Sequence, residues 1–160
     1  MHKQTLIFRK ASIDDLDAIS AIYDRIHTSE EAGDLTTGWK RGIYPTVETA
    51  GAAIAAGDMF VEIDHDRIVA CGRINQEQVD VYAQVEWEYP ADDDEVMVMH
   101  TLSVDPEIRH KGYGTAFADF YEKYALECGC RYLRIDTNGM NSVARAMYKR
   151  LGYKERGIIP

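Results

Sequence analysis

The sequence predicts an α/β domain, a mixed sheet with helices on both faces, and three features point there. Val96–Val104 is apolar at almost every position, the pattern of a central strand buried on both sides. Two runs, 13–27 and 115–128, repeat apolar residues at helical spacing, while shorter runs alternate as strands do. The elements follow in the order β-α-α-β-β-β-α-β-α-β, which suits a sheet layered between helices. At 160 residues the chain has the length of a single domain, 1–160, with a full core.

Taken in order, Thr5–Arg9 alternates weakly and predicts a first strand. Ser12 stands three residues before Asp15, the spacing of a capping box. Ile13, Leu16, Ile19, Ile22, Tyr23 and Ile26 then form the inner stripe of a helix. Ser29–Tyr44 has no clear period and predicts a loop or broken helix; its Trp39 and Tyr44 either line a site or plug a core edge. Thr46 is placed to cap an Ala-rich helix over 47–56 that Gly57 stops. Met59–Ile63 and Ile68–Ile74, joined through Asp64–Arg67, predict a hairpin. Gln76–Ala91 is ambiguous, carries Tyr82, Trp87 and Tyr89, and runs into the acids Asp92–Glu95, a solvated turn by composition.

Beyond the central strand, Ala116, Phe117, Phe120, Tyr124 and Cys128 predict the inner stripe of a helix ended by Gly129. Arg131–Asp136 predicts a strand with Leu133 and Ile135 on one face and Tyr132, Arg134 and Asp136 on the other. Asn141 is placed to cap a last helix with Val143, Met147 and Leu151 inward, and Tyr153–Ile159 begins another strand.

Composition narrows the function. A net charge of −9 disfavours nucleic acid and anionic membranes and suits a cationic partner. No apolar run is long enough to cross a bilayer, and Met1–Lys10 lacks the apolar core of a signal peptide. Three cysteines, with no His cluster beside Cys128 and Cys130, predict reduced thiols rather than a disulfide framework or a metal site. A cytoplasmic protein is expected.

The stretch from Val96 to Ala118 carries the chemistry. An apolar strand meets the break Asp105-Pro106, the basic turn Arg109-His110-Lys111-Gly112-Tyr113-Gly114 follows, and a helix begins at Thr115. Such a helix start presents unpaired N–H groups and the positive end of the helix dipole, a setting that favours phosphate. Gly112 and Gly114 keep Cβ atoms out of the way of a closely approaching ligand. Two familiar phosphate loops do not fit. No Lys stands between Gly114 and Thr115, as a P-loop needs, and Phe117 stands where a dinucleotide fingerprint has its third Gly. The pattern Arg-x-x-Gly-x-Gly after Leu-Ser-Val-Asp-Pro resembles the acyl-CoA pyrophosphate loop of the GNAT superfamily of N-acyltransferases. A second block is similar to the same superfamily: Asn141, Tyr148 seven residues later, and the ending Leu151-Gly152-Tyr153. The likeness runs from about Ile7 to Tyr153 and is strongest from Val96 onward.

That resemblance implies a GNAT fold, its sheet splayed beside the central strand across a bulge, with acetyl-CoA as co-substrate. It implies that Arg109, His110, Lys111, Gly112, Tyr113, Gly114 and Thr115 hold the pyrophosphate. Leu102 and Val104 would pair with the pantetheine arm, and Asn141 would touch the coenzyme or cap its helix. Tyr148 would lie near the sulfur and protonate the leaving thiolate, the alternative being a half-buried core aromatic. A primary amine, with a pKa of about 10, must lose a proton before it attacks the thioester. The base is open. The positions where family members carry Glu hold Val98 and Asp136 here. His100, which shares strand parity with Leu102 and Val104, is a further candidate, since imidazole titrates near working pH. Either could instead be structural, His100 as a hydrogen-bonded core residue and Asp136 as a partner of Arg134 or Thr137. Glu62 and Glu95 are more distant.

The implied function is direct transfer of an acetyl group to a primary amine of a small molecule in a ternary complex. Trp39, Tyr44, Trp87 and Tyr89 would wall the acceptor side. Protein N-terminal or lysine acetylation, and acyl-CoA binding without catalysis, are the alternatives. Family members continue through another strand beyond the Tyr153 segment. The chain stops at Pro160, so either it is cut short or the sheet ends early, leaving an edge that a second copy would cover in a homodimer.

Overall fold

A computed structural model describes residues 6–35, 37–76, 93–108, 111–135 and 141–154. The elements run β1 (Ile7–Lys10), α1 (Leu16–Glu31), α2 (Val47–Ala55), β2 (Met59–Asp64), β3 (Arg67–Asn75), β4 (Val96–Val104), α3 (Tyr113–Glu127), β5 (Tyr132–Ile135) and α4 (Ser142–Arg150). The strands form one sheet in the order β1-β2-β3-β4-β5, antiparallel up to β4 and parallel between β4 and β5. The expected mixed sheet is present. The expected strand beyond Tyr153 and most of the Gln76–Ala91 segment lie outside the described residues.

Two cores sandwich the sheet, so helices lie on both faces. On one face Ile19 and Tyr23 of α1 and Ala50 and Ala53 of α2 pack on Met59, Val61 and Cys71. On the other, Phe117, Tyr121 and Ala125 of α3 and Tyr148 of α4 pack on Phe60, Ala70, Ile74, Met97 and Met99. Capping follows the sequence closely. Ser12 N–H donates to Asp15 Oδ2 at 2.7 Å, Thr49 N–H to Thr46 Oγ1 at 3.2 Å, and Ala144 N–H to Asn141 Oδ1 at 3.1 Å. These caps satisfy donors that a helix start leaves unpaired.

Helix phase departs from expectation in three places. α1 continues to Glu31, past the expected end at 27, and Ile13 is left 66% exposed. In α3 the deepest positions are Tyr113, Phe117, Tyr121 and Ala125, while Cys128 is exposed. In α4, Val143 is 70% exposed and the inward set is Ala144, Met147 and Tyr148. In α4 the inward set follows i, i+3, i+4 around the buried Tyr148 ring, and Val143 falls outside it.

One irregularity shapes the functional region. Cys71 pairs with Ser103 and Arg73 with His100, so Gly72 faces two residues, Thr101 and Leu102, across a bulge in β4. Thr101 adopts φ +54°, a conformation rare for a β-branched residue. Gly72 stands opposite it, and a Cβ there would lie 3.0 Å from the Phe117 ring, which would have to give way.

Candidate active site

The bulge resets the alternation of β4. Met97 and Met99 belong to the α3-side core, and beyond Thr101 so do Leu102 and Val104. His100 therefore lies on the opposite, α1-side face, and the expectation that it shares parity with Leu102 and Val104 is corrected. Its Nε2–H donates to Asn75 Oδ1 at 2.9 Å, and Asn75 Nδ2–H donates to Asp58 Oδ2 at 2.9 Å. With Nε2 protonated, the neutral ring carries its lone pair on Nδ1.

Past the bulge, β4 runs on to Val104, while its described pairing with β5 ends at Met99–Ile135. Tyr121 pins the two strands just before that point. Its hydroxyl lies 2.6 Å from the Met97 carbonyl and 2.9 Å from the Arg134 carbonyl, one on each strand. Asp105 then anchors the end of β4. Fully buried, it accepts from Arg25 Nε (3.0 Å) and Nη2 (2.7 Å), Arg67 Nη2 (2.7 Å) and the Glu107 N–H (3.0 Å). Burial opposes its charge, but Arg25, that N–H and Arg67 outweigh it and hold the carboxyl below its usual range.

The helix expected from Thr115 begins two residues earlier, at Tyr113. Gly112 caps α3 with φ +79°, and Lys111, Gly112 and Thr115 are exposed. The first turn of α3 carries no acidic side chain. The N–H groups of Tyr113, Gly114 and Thr115 have no intrahelical acceptor, and the dipole adds positive potential there. Gly114 has a second reason to be glycine: a Cβ would lie 3.0 Å from the Met147 sulfur and 3.7 Å from Val104. The α3 start, the end of β4 and α4 thus meet at Gly114. Arg109 and His110 lie outside the described residues, as do Asp136, Trp87 and Tyr89.

Tyr148 is buried in the α3-side core, with the Tyr153 ring edge-on at 6.1 Å. On the α1 side, Tyr44 brings its hydroxyl to Thr101 Oγ1 at the bulge, and Trp39 meets the Tyr44 ring edge-on at 6.4 Å. The loop carrying them is tied to α1. Glu30 accepts from the Thr37 N–H (2.8 Å), the Thr37 hydroxyl (3.0 Å) and the Gly38 N–H (3.1 Å), and His27 Nε2–H donates to the Pro45 carbonyl at 2.9 Å. A cavity of about 430 Å³ opens beside Trp39, between α1 and this loop. Sequence reasoning missed Gly72, Thr101 and Asp105 as parts of this region; only the Asp105-Pro106 break gave a signal.

Residues 19–153 match the Acetyltransferase (GNAT) family. The chain belongs to that family. An uncharacterised N-acetyltransferase of Methanocaldococcus jannaschii is 35% identical over 65 residues, 41% of this chain and 29% of that protein's length. A GNAT-family acetyltransferase structure from Streptococcus agalactiae superposes with a TM-score of 0.75 at 20% identity, covering 98% of this chain and 89% of the other. An aminoglycoside N-acetyltransferase, AAC(6')-Iy, in complex with CoA gives 0.66 at 13% identity, covering 99% and 94%. At these identities the two structures speak to the fold, which is the GNAT fold.

Proposed function

We propose that this GNAT protein transfers an acetyl group from acetyl-CoA directly to the primary amine of a small molecule. The observation that carries this is the bulge at Thr101, where the two faces of the sheet meet. On the α3 side, the exposed N-terminal turn of α3, free of acids, suits a pyrophosphate, and β4 from Leu102 to Val104 suits an extended pantetheine arm. When bound there, the coenzyme supplies an activated acyl thioester. Tyr148 on that side is the donor to the departing sulfur, and the Leu102 N–H polarises the carbonyl.

The amine approaches from the α1 side, past Tyr44 and Trp39. His100 faces that side and takes its proton at Nδ1, its ring oriented by Asn75 and Asp58. Asp136 is the alternative base. The acidic chain attracts an ammonium group, and the aminoglycoside enzyme among the structural neighbours supports a small-molecule acceptor. No cysteine nucleophile is called for. Burial pushes the Cys71 thiol up to about 12 and also raises that of Cys130, so neither is poised as a thiolate.

The test is thiol release from acetyl-CoA across a panel of amines and short peptides, with wild type beside Tyr148→Phe, His100→Gln and Asp136→Asn. Turnover on one class of small amine, falling about 10²–10⁴-fold in Tyr148→Phe and in one of the two base variants, is expected. Turnover confined to peptides would move the acceptor to proteins. Binding of acetyl-CoA without turnover on any acceptor would make this a binding module.

A further inference from the structure

Tyr121 stands in the middle of the buried ridge of α3, with Phe117 one turn before it and Ala125 one turn after, and it has no exposed surface. Packing alone does not ask for a hydroxyl at this place, since Phe117 fills the neighbouring position in the same core without one. A hydroxyl among apolar groups costs free energy unless it is hydrogen-bonded. This one donates to the Met97 carbonyl at 2.6 Å and lies 2.9 Å from the Arg134 carbonyl. A phenol carries a single proton, so the two carbonyls share it.

Those carbonyls belong to different strands. The described seam between β4 and β5 is short, running from the pair Val96–Tyr132 to the pair Met99–Ile135, and parallel pairing is slightly weaker per residue than antiparallel. A side-chain bridge across such a seam therefore matters. Just beyond Met99, β4 passes the left-handed Thr101 and reaches Leu102. From there to Val104 it keeps β3 on one side, through Cys71–Ser103 and Ala70–Val104, while no strand pairs with its other side among the described residues. The ridge that carries Tyr121 also touches the bulge, where the Phe117 ring packs opposite Gly72. Two turns earlier, about 12 Å along the axis, the same helix begins at Tyr113. One rigid element thus carries the proposed phosphate end and the hydroxyl that holds the two strands.

We propose that Tyr121 is a positioning residue for the pantetheine arm of the coenzyme: by bridging Met97 and Arg134 it fixes the spacing of β4 and β5 where their pairing ends, and so the edge of β4 along which the arm lies. It acts through the two strands and not by touching the coenzyme. This rests on the assignment of the arm to Leu102–Val104.

The test compares two ligands. Acetyl-CoA carries the phosphates and the arm, and 3′-phospho-ADP carries the same phosphates and adenosine without the arm. Dissociation constants for both are measured by calorimetry on wild type, Tyr121→Phe and Phe120→Leu. The last thins the core against Phe8 and Phe60 on the same helix without removing the bridge. Urea unfolding gives the folded fraction to which each constant is referred. Tyr121→Phe is expected to weaken acetyl-CoA about five- to tenfold, the worth of one hydrogen bond, and 3′-phospho-ADP less than about twofold. Phe120→Leu should leave the ratio of the two constants as in wild type. In wild type itself, the NMR signal of the Tyr121 hydroxyl proton should shift when acetyl-CoA binds and stay in place with 3′-phospho-ADP, a readout that needs no variant to fold. A ratio unchanged in Tyr121→Phe, or changed as much in Phe120→Leu, would overturn the proposal, as would a hydroxyl signal indifferent to acetyl-CoA. Should wild type bind acetyl-CoA no more tightly than 3′-phospho-ADP, the assignment of the arm falls and the inference with it. Should wild type gain from the arm and Tyr121→Phe keep that gain, the assignment stands and the inference alone falls.

Discussion

Asp105→Asn probes the joint on which the coenzyme side of the proposed reaction depends. The carboxylate has no exposed surface and neutralises two guanidinium groups from separate elements, Arg25 on α1 and Arg67 at the start of β3. An Asn oxygen can still accept from one arm and from the Glu107 N–H, but its NH₂ faces the remaining Arg donors. At least one charge-assisted bond is lost, and a donor–donor contact replaces another. Each such bond contributes about 1.5–3 kcal/mol, and breaking a buried pair costs about 3–5 kcal/mol. Arg25 and Arg67 are 31% and 47% exposed, so water recovers part of what they lose. The low end, about 3 kcal/mol, is therefore expected, or roughly 6–12 °C in Tm for a chain of this size. The assay is urea unfolding followed by two probes across a pH series. Because the carboxyl of Asp105 is held below its unfolded value, its contribution is complete above about pH 5 and vanishes as pH falls through the folded value. The gap between wild type and variant should be constant at neutral pH and close in acid. A gap under about 1 kcal/mol, or one that persists unchanged in acid, would refute this account of the cluster.

Three further outcomes follow from the same geometry. Glu62→Met removes a carboxyl whose folded value, about 8, lies above its unfolded one, so the contribution of Glu62 to wild-type stability is largest in acid and is lost as pH climbs toward 8. Between about pH 5 and pH 8 wild type should lose about 3 kcal/mol relative to the variant in denaturant titrations, and parallel curves would refute this. Tyr44→Phe removes the hydroxyl contact with Thr101 and should raise the acceptor KM about two- to tenfold, with the acetyl-CoA KM unchanged in initial-rate kinetics. Gly72→Ala places a Cβ 3.0 Å from the Phe117 ring, opposite the bulge, and should cost about 1–3 kcal/mol of stability by thermal unfolding.

Much of the architecture was legible because it rests on local signals. The caps at Ser12, Thr46 and Asn141, the glycine at the start of α3 and the two-sided burial of β4 each leave a residue type at a fixed spacing. What escaped is set by tertiary contacts. Val143 is more apolar than Ala144, so composition favours it as an inward residue, yet the packing of Met147 and Tyr148 turns it out to solvent. Glu62 shares a strand face with Phe60 and Asp64, a face polar enough to suggest solvent, but Phe8 and α3 cover it. The family resemblance implies a bulge beside the central strand, but no residue pattern places it. Val96–Val104 reads as an unbroken strand, and the residue that takes the left-handed turn is Thr101, where sequence rules look for Gly or Asn.

That one missed residue decides which side of the sheet His100 serves. With regular alternation, His100 would share a face with Leu102 and Val104, crowding a base and the coenzyme arm onto the α3 side. The extra residue at Thr101 separates them: Leu102 and Val104 stay with α3 and Tyr148, and His100 turns toward α1 and the Tyr44 loop. In the proposed reaction the proton leaves the amine on one face and reaches the departing sulfur on the other. A strand that changes parity between these two segments would present the proposed base and acid from opposite sides of the thioester. Tyr44 at Thr101 puts the loop proposed for the acceptor at that crossing, so the loop meets the sheet where the parity changes.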